Sequence, residues 1–169
     1  CTPAFFFFLF VVPERLKPIE ELLQRQGLVG DNVVLHACDA TQALPDGLPL
    51  LFDAVLLDAP CSATGIIRRQ PDIKWHRQVK DIDQLNTLQW RLLKNAWRYL
   101  KPGGRLMYST CSVLKAENEL LIDSFLKQNS DACAIDLGDR YGRVSGAGRQ
   151  RFPGEDDGDG FYYALLQKA

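Results

Sequence analysis

Apolar positions along the chain fall into two rhythms: short unbroken runs, and longer stretches with an apolar residue every third or fourth place. Residues 4–12 form an apolar run holding four consecutive phenylalanines; it predicts a strand that Pro13 ends. Leu16, Ile19, Leu22 and Leu23 follow at helical spacing with Glu and Arg on the other face, and Gly27 and Gly30 suit the exit of that helix. Residues 33–38 predict a strand ending at Asp39, in which His36 reads as a sheet histidine rather than a catalytic one. A loop over 43–49 holds two prolines and a glycine. The next run, 52–57, has the pattern of a strand buried on both faces of a parallel sheet. Pro60 lacks a backbone N–H, so that strand stops near Asp58.

The second half repeats the alternation. Residues 61–80 form a long irregular stretch, a length that in compact domains usually goes with function or disorder. Asp81 is placed to cap the helix that follows, whose inward stripe is Ile82, Leu85, Leu88, Leu92, Leu93 and Ala96. Lys101-Pro102-Gly103-Gly104 stops it, and 105–110 predicts another strand. A helix over 117–128, a strand over 132–137, a charged glycine-rich surface loop over 138–158 and a last strand over 161–166 complete the pattern. Strands alternating with helices predict an α/β domain with a mostly parallel sheet, and the order at the end allows an antiparallel C-terminal strand.

Composition narrows the function classes. Of 169 residues, 46% are apolar, which fits a folded domain with a real core. The net charge of −1 supplies no global basic field, so any nucleic-acid contact must come from local clustering. Such a cluster exists: Arg68, Arg69, Lys74, His76, Arg77 and Lys80, with Trp75 among them to stack on a base. The commoner meaning of a charge run is a solvated loop. Arg140, Arg143, Arg149 and Arg151 have acids beside them and read as solvated. The apolar N-terminal run is too short to span a bilayer.

Five cysteines, Cys1, Cys38, Cys61, Cys111 and Cys133, show no CxxC spacing, which argues against a zinc site, a disulfide framework or a thiol redox motif and for a reducing cytoplasm. Most single cysteines are buried and inert. Two of these stand just beyond the ends of predicted strands, Cys61 after Asp58 and Cys111 after 105–110. At the carboxyl edge of an open α/β sheet, ligands bind. Two thiols meeting there beside a carboxylate suit methylation of a pyrimidine at carbon 5. A thiolate adds to carbon 6, carbon 5 becomes nucleophilic and attacks an electrophilic methyl, and a base then removes the carbon-5 proton so that the thiol can leave.

Asp58-Ala59-Pro60-Cys61-Ser62-Ala63-Thr64-Gly65 followed by Ser109-Thr110-Cys111-Ser112 resembles the RNA cytosine-C5 methyltransferases. Residues 65–75 are similar to the RsmB (Sun/Fmu) type, which acts on 16S rRNA, and 153–164 are similar to that family's last motif. The resemblance implies a Rossmann-like class I methyltransferase sheet, S-adenosylmethionine as cofactor, 16S ribosomal RNA as partner, no metal and no membrane. It gives Cys111 the nucleophile's role and Cys61 a role in product release. It sets Asp58 at the junction of cofactor and cytosine and Asp39 at the cofactor's adenosine end, and it makes Arg68, Arg69 and Lys74 the candidate RNA contacts.

The resemblance also has a gap. The family's first strand and glycine-rich cofactor loop would lie upstream of Cys1, and residues 1–12 resemble nothing in it. The expected organisation is therefore an atypical Phe-rich segment, 1–12, and a partial methyltransferase catalytic domain, 13–169, that binds the cofactor weakly or not at all. The competing reading is a truncated, catalytically inactive fragment that keeps the fold and residual RNA binding.

Overall fold

The structure, a computed structural model, describes residues 6–10, 14, 16–28, 30, 32–46 and 51–169. The chain divides into two units, Cys1–Leu48 and Pro49–Ala169.

In the first unit the Phe-rich run does form a strand, β1 (Phe6–Phe10). Helix α1 (Leu16–Arg25) follows, then β2 (Val33–Ala37), which pairs with β1 in parallel from Phe6 opposite Val33 to Phe10 opposite Ala37. A strand–helix–strand crossover is the usual way to bring two parallel strands together. His36 lies within β2, opposite Leu9. Residues 1–5, 11–13 and the end of the 43–49 loop lie outside the described residues.

The second unit starts with β3 (Phe52–Asp58), followed by a 3-10 turn (Thr64–Ile66), the short helix α2 (Ile73–His76) and the long helix α3 (Val79–Arg98). Gln78 is the N-cap of α3 and Asp81 closes a capping box from the third helical position, so the aspartate serves the cap from inside the helix rather than as the cap itself. Strand β4 (Leu100–Thr110) begins earlier than its sequence pattern predicts, because Phe52 already pairs with Leu100 before a register shift. Helix α4 (Glu119–Gln128) and β5 (Ala132–Ile135) come next. The segment read as a surface loop instead contains a hairpin, β6 (Arg143–Ser145) and β7 (Gly148–Arg151), and β8 (Phe161–Lys168) closes the chain.

The strands of this unit make a six-stranded sheet. Strand β3 pairs with β4 in parallel, and β8 runs antiparallel to β4, as the sequence pattern allowed. The other edge of β8 is shared in succession: β7 pairs with Phe161 to Tyr163 and β5 with Leu165 to Lys168. The hairpin escaped sequence reading because three- and four-residue strands are too short to show a period of two. Arg149 corrects the solvated reading of the late arginines. Its side chain is 9% exposed and is gripped by Asp136 and Asp139, each 2.7 Å away.

One face of the sheet carries the core. Leu93 and Trp97 of α3 and Leu121, Ile122 and Phe125 of α4 pack on Leu106 and Tyr108 of β4 and on Tyr162, Ala164 and Leu166 of β8. Phe125 sits edge-on to both Trp97, at 5.3 Å between centroids, and Trp90, at 6.0 Å. Val55 and Leu57 of β3 join this core, whereas Leu56 is 72% exposed. Within this unit β3 is covered on one face only, the side that α3 and α4 occupy.

Truncating Phe125 to Ala would leave a cavity under both helices, with an expected loss of about 3–5 kcal/mol of unfolding free energy. Urea unfolding followed by the fluorescence of Trp90 and Trp97 checks this.

Candidate active site

Because β3 and β4 are parallel and in register, with Asp58 opposite Ser109, their carboxyl ends lie at the same edge of the sheet. The chain continues from each strand into a cysteine. Ala59 N–H donates to Ser109 O at 2.9 Å, which carries the pairing one residue past β3. Two residues on, the sulfurs of Cys61 and Cys111 lie 3.4 Å apart, a thiol–thiol hydrogen bond across fifty residues of sequence. Both cysteines are half-buried. Neither is sealed in hydrocarbon.

The contact divides the two thiols. Cys61, donating its S–H to Cys111, is pushed far above the ordinary thiol range, with burial adding to the effect. Cys111, receiving that hydrogen bond, is held down to about 7, against the opposing effects of burial and the carboxylates of Asp58 and Glu117. Near neutral pH the pair therefore holds one readily lost proton, and Cys111 is the sulfur that bears the charge. The contrast is Cys38, raised by burial and by neighbouring Asp39, which reads as an inert thiol.

Beneath the sulfurs lies a buried polar cluster. Glu117 is fully buried at the end of a 3-10 turn (Lys115–Glu117). Its Oε2 accepts from Ser62 Oγ and from Ser112 Oγ, each at 2.5 Å; its Oε1 accepts from Ser62 N–H and from Gln89 Nε2, each at 2.9 Å. The same Gln89 amide donates to Pro60 O at 2.8 Å, and Arg77 Nε donates to Ser62 O at 2.9 Å. Asn118 accepts from Thr110 Oγ1 and donates to Ser112 O and to Gln150 Oε1. Gln150 in turn donates to Ser112 O and Phe161 O. These polar groups tie both cysteine loops to α3, α4 and β7.

Three sequence motifs far apart in the chain converge at Gly65. Its N–H donates to Cys111 O at 2.8 Å and its carbonyl accepts from Gly160 N–H at 2.8 Å. A Cβ on Gly65 would fall 2.0 Å from Gly160 O, so only glycine fits. Arg69 adds an ion pair to Asp159 at 2.5 Å.

The remaining candidates are placed as follows. Asp58 is exposed at the end of β3 and its Oδ1 accepts from Ser109 Oγ at 3.2 Å. Asp39, in the first unit, accepts from Thr41 N–H at 2.9 Å in a local turn. Arg68, Arg69 and Lys74 are exposed, and Lys74 Nζ lies 4.9 Å from the ring centre of Trp75, itself 75% exposed. The irregular stretch that carries them is ordered by the 3-10 turn, α2 and the Arg77 contact. Among the described residues no group of three or more His, Cys, Asp or Glu could hold a metal ion, and no helix is long and apolar enough to cross a membrane.

Sequence reading passed over Glu117, Gln89, Asn118 and Gln150. One sign was present: Gln89 falls on the apolar stripe of α3, four residues from both Leu85 and Leu93. A polar residue on a buried stripe has to find partners inside.

Residues 11–167 match the family model described as 16S rRNA methyltransferase RsmB/F. The ribosomal RNA small subunit methyltransferase B of Xanthomonas campestris pv. campestris is 55% identical over 163 residues, covering 95% of this chain and 37% of that protein. The protein of the same name from Xylella fastidiosa strain 9a5c is 60% identical over 155 residues, covering 92% and 36%. The crystal structure of a methyltransferase homologue protein from Pyrococcus horikoshii is 31% identical with a TM-score of 0.81, covering 98% of this chain and 53% of that one. The Rossmann-like methyltransferase fold class is thereby shown. The chain spans just over a third of the length of the curated relatives it matches.

Two outcomes follow from the geometry. Alkylation of Cys111 by iodoacetamide is expected to rise with pH through about 7, and in Cys61→Ala, where the donor is lost, only as pH climbs through the ordinary thiol range of about 8.5. Cys61→Ser keeps a donor and is expected to stay nearer the parent profile; peptide mass spectrometry separates Cys111 from the other thiols. Gly65→Ala forces the three motifs apart and is expected to cost about 2–4 kcal/mol in urea unfolding.

Proposed function

Because the chain belongs to the RsmB/F family of 16S rRNA methyltransferases, we propose that it carries the reacting centre for S-adenosylmethionine-dependent methylation of carbon 5 of a cytosine in 16S ribosomal RNA, through a covalent bond to Cys111. The observation that supports this reading is the 3.4 Å contact between Cys61 and Cys111 at the shared edge of β3 and β4. A thiolate at neutral pH is the nucleophile this chemistry needs, and Cys111 is the sulfur held down to about 7.

The residues divide the work as follows. Cys111 adds to carbon 6 of the ring, and the electron pair of the 5,6 double bond moves toward carbon 5. S-adenosylmethionine, when bound, supplies an electrophilic methyl group. Once Cys111 is bonded to carbon its negative charge is gone, and with it the main cause that keeps Cys61 protonated. Cys61 thereby becomes able to lose its proton to water and, as the thiolate, to accept the carbon-5 proton. The carbon–hydrogen electrons re-form the double bond and Cys111 departs as a thiolate. The cytosine must be unpaired to reach the sulfur.

Asp58 fits the cofactor: an exposed carboxylate at a strand end, steadied by Ser109, suits N–H donors and positive charge. Asp39, after β2, suits the hydroxyls at the adenosine end. Arg68, Arg69 and Lys74 with Trp75 make a basic, partly aromatic surface for phosphates and bases. Work on ribosomal RNA belongs in the cytoplasm.

The test is incubation of the chain with S-adenosylmethionine and RNA carrying 5-fluorocytosine, whose fluorine cannot leave as a proton does. An adduct that survives a denaturing gel is expected, absent in Cys111→Ala. RNA binding with no adduct under any cofactor concentration would favour the inactive-fragment reading instead.

A further inference from the structure

We propose that Glu117 is a positioning residue for the thiol pair: its carboxylate, by binding the serine that follows each cysteine, sets the separation of Cys61 and Cys111. One oxygen, Oε2, accepts from Ser62 Oγ and from Ser112 Oγ, both at 2.5 Å. Each serine is covalently next to one of the two sulfurs, so a single atom fixes both cysteine loops. Hydrogen bonds of hydroxyls to a carboxylate at this length are among the stronger neutral-to-ion contacts.

The carboxylate is matched to the donors around it. Four donors reach Glu117, two at each oxygen, and all four are neutral. Burying an ion without a cation beside it is expensive unless its lone pairs are filled, and here they are. The negative charge itself works against the chemistry, since it raises both thiols. A residue that electrostatically opposes the thiolate and yet sits against both cysteine loops is there for the geometry it imposes. The titratable groups that bear on the thiols are Asp58 at the end of β3, Tyr108 on β4, Glu117 and the sulfurs themselves.

The inference rests on reading the thiol pair as the reacting centre, but its test reads the sulfurs directly. The pH dependence of Cys111 alkylation is measured in the parent chain, Glu117→Ala and Glu117→Gln, with far-UV circular dichroism to verify folding. In Glu117→Gln the amide nitrogen has two hydrogens for two hydroxyls that can turn to accept, so the geometry survives without the charge. Charge removal alone lowers the inflection in both variants. The positioning role instead raises it in Glu117→Ala, with labelling at neutral pH down about tenfold, while Glu117→Gln stays at or below the parent value. A folded Glu117→Ala with an unchanged or lowered inflection overturns the proposal. Should Glu117→Ala not fold, the double variant Ser62→Ala, Ser112→Ala carries the same reading: a raised inflection supports it and an unchanged one overturns it. A parent Cys111 that titrates as an ordinary thiol would instead sink the reading of the pair as the reacting centre.

Discussion

The buried carboxylate of Glu117 is the constraint around which this sheet edge is organised. Removing a carboxylate from water costs several kcal/mol even after relaxation. Here the cost is offset by four hydrogen bonds, and three of them come from the residues directly after the cysteines. The sulfur contact on the surface and the ion beneath it are thus one structure: a deep anchor that aligns two loops, and a shallow pair of thiols that the alignment brings within 3.4 Å. Gln89 and Arg77 brace the first loop from α3 and from the segment before it; Asn118 and Gln150 brace the second from α4 and β7.

This division explains how a weakly nucleophilic side chain is tuned without a positive charge beside it. The usual device for lowering a thiol is a neighbouring cation or a helix N-terminus. At Cys111 the largest effect is instead the hydrogen bond from Cys61, against burial and two carboxylates that oppose it. A tuning of that kind depends steeply on distance, which is why the scaffold beneath invests in so many directed contacts rather than in apolar packing alone.

Much of the fold was legible because it is written in periods that sequence displays. The runs at 33–38 and 52–57 and the helical stripe of α3 each became the element their spacing implies, the first one residue shorter, and the last strand turned antiparallel as its place in the order allowed. The two cysteines could be paired from sequence because both stand just beyond strand ends, and parallel neighbours in register bring such ends together. What escaped was local or polar. The hairpin of β6 and β7 is too short for alternation to appear, and Arg149 looks like any surface arginine until Asp136 and Asp139 enclose it. Glu117 and Asn118 begin the helix predicted over 117–128; nothing in their identity reveals the bonds they make with Tyr108 and Thr110 of β4 and Gln150 of β7. Sequence patterns report which face of an element is apolar, and a buried polar hub leaves no apolar mark.

The bond from Gly160 N–H to Gly65 O has a temporal side. Both cysteines precede in sequence the backbone that bonds to Gly65 and the strand that flanks β4, so they are synthesised before either. A nascent chain therefore carries two thiols without these contacts until the later segment has emerged, with neither the tuning nor the shelter of the assembled edge. Reactivity in this protein belongs to the assembled sheet edge, whose contacts join segments far apart along the chain and so carry a loop-closure cost.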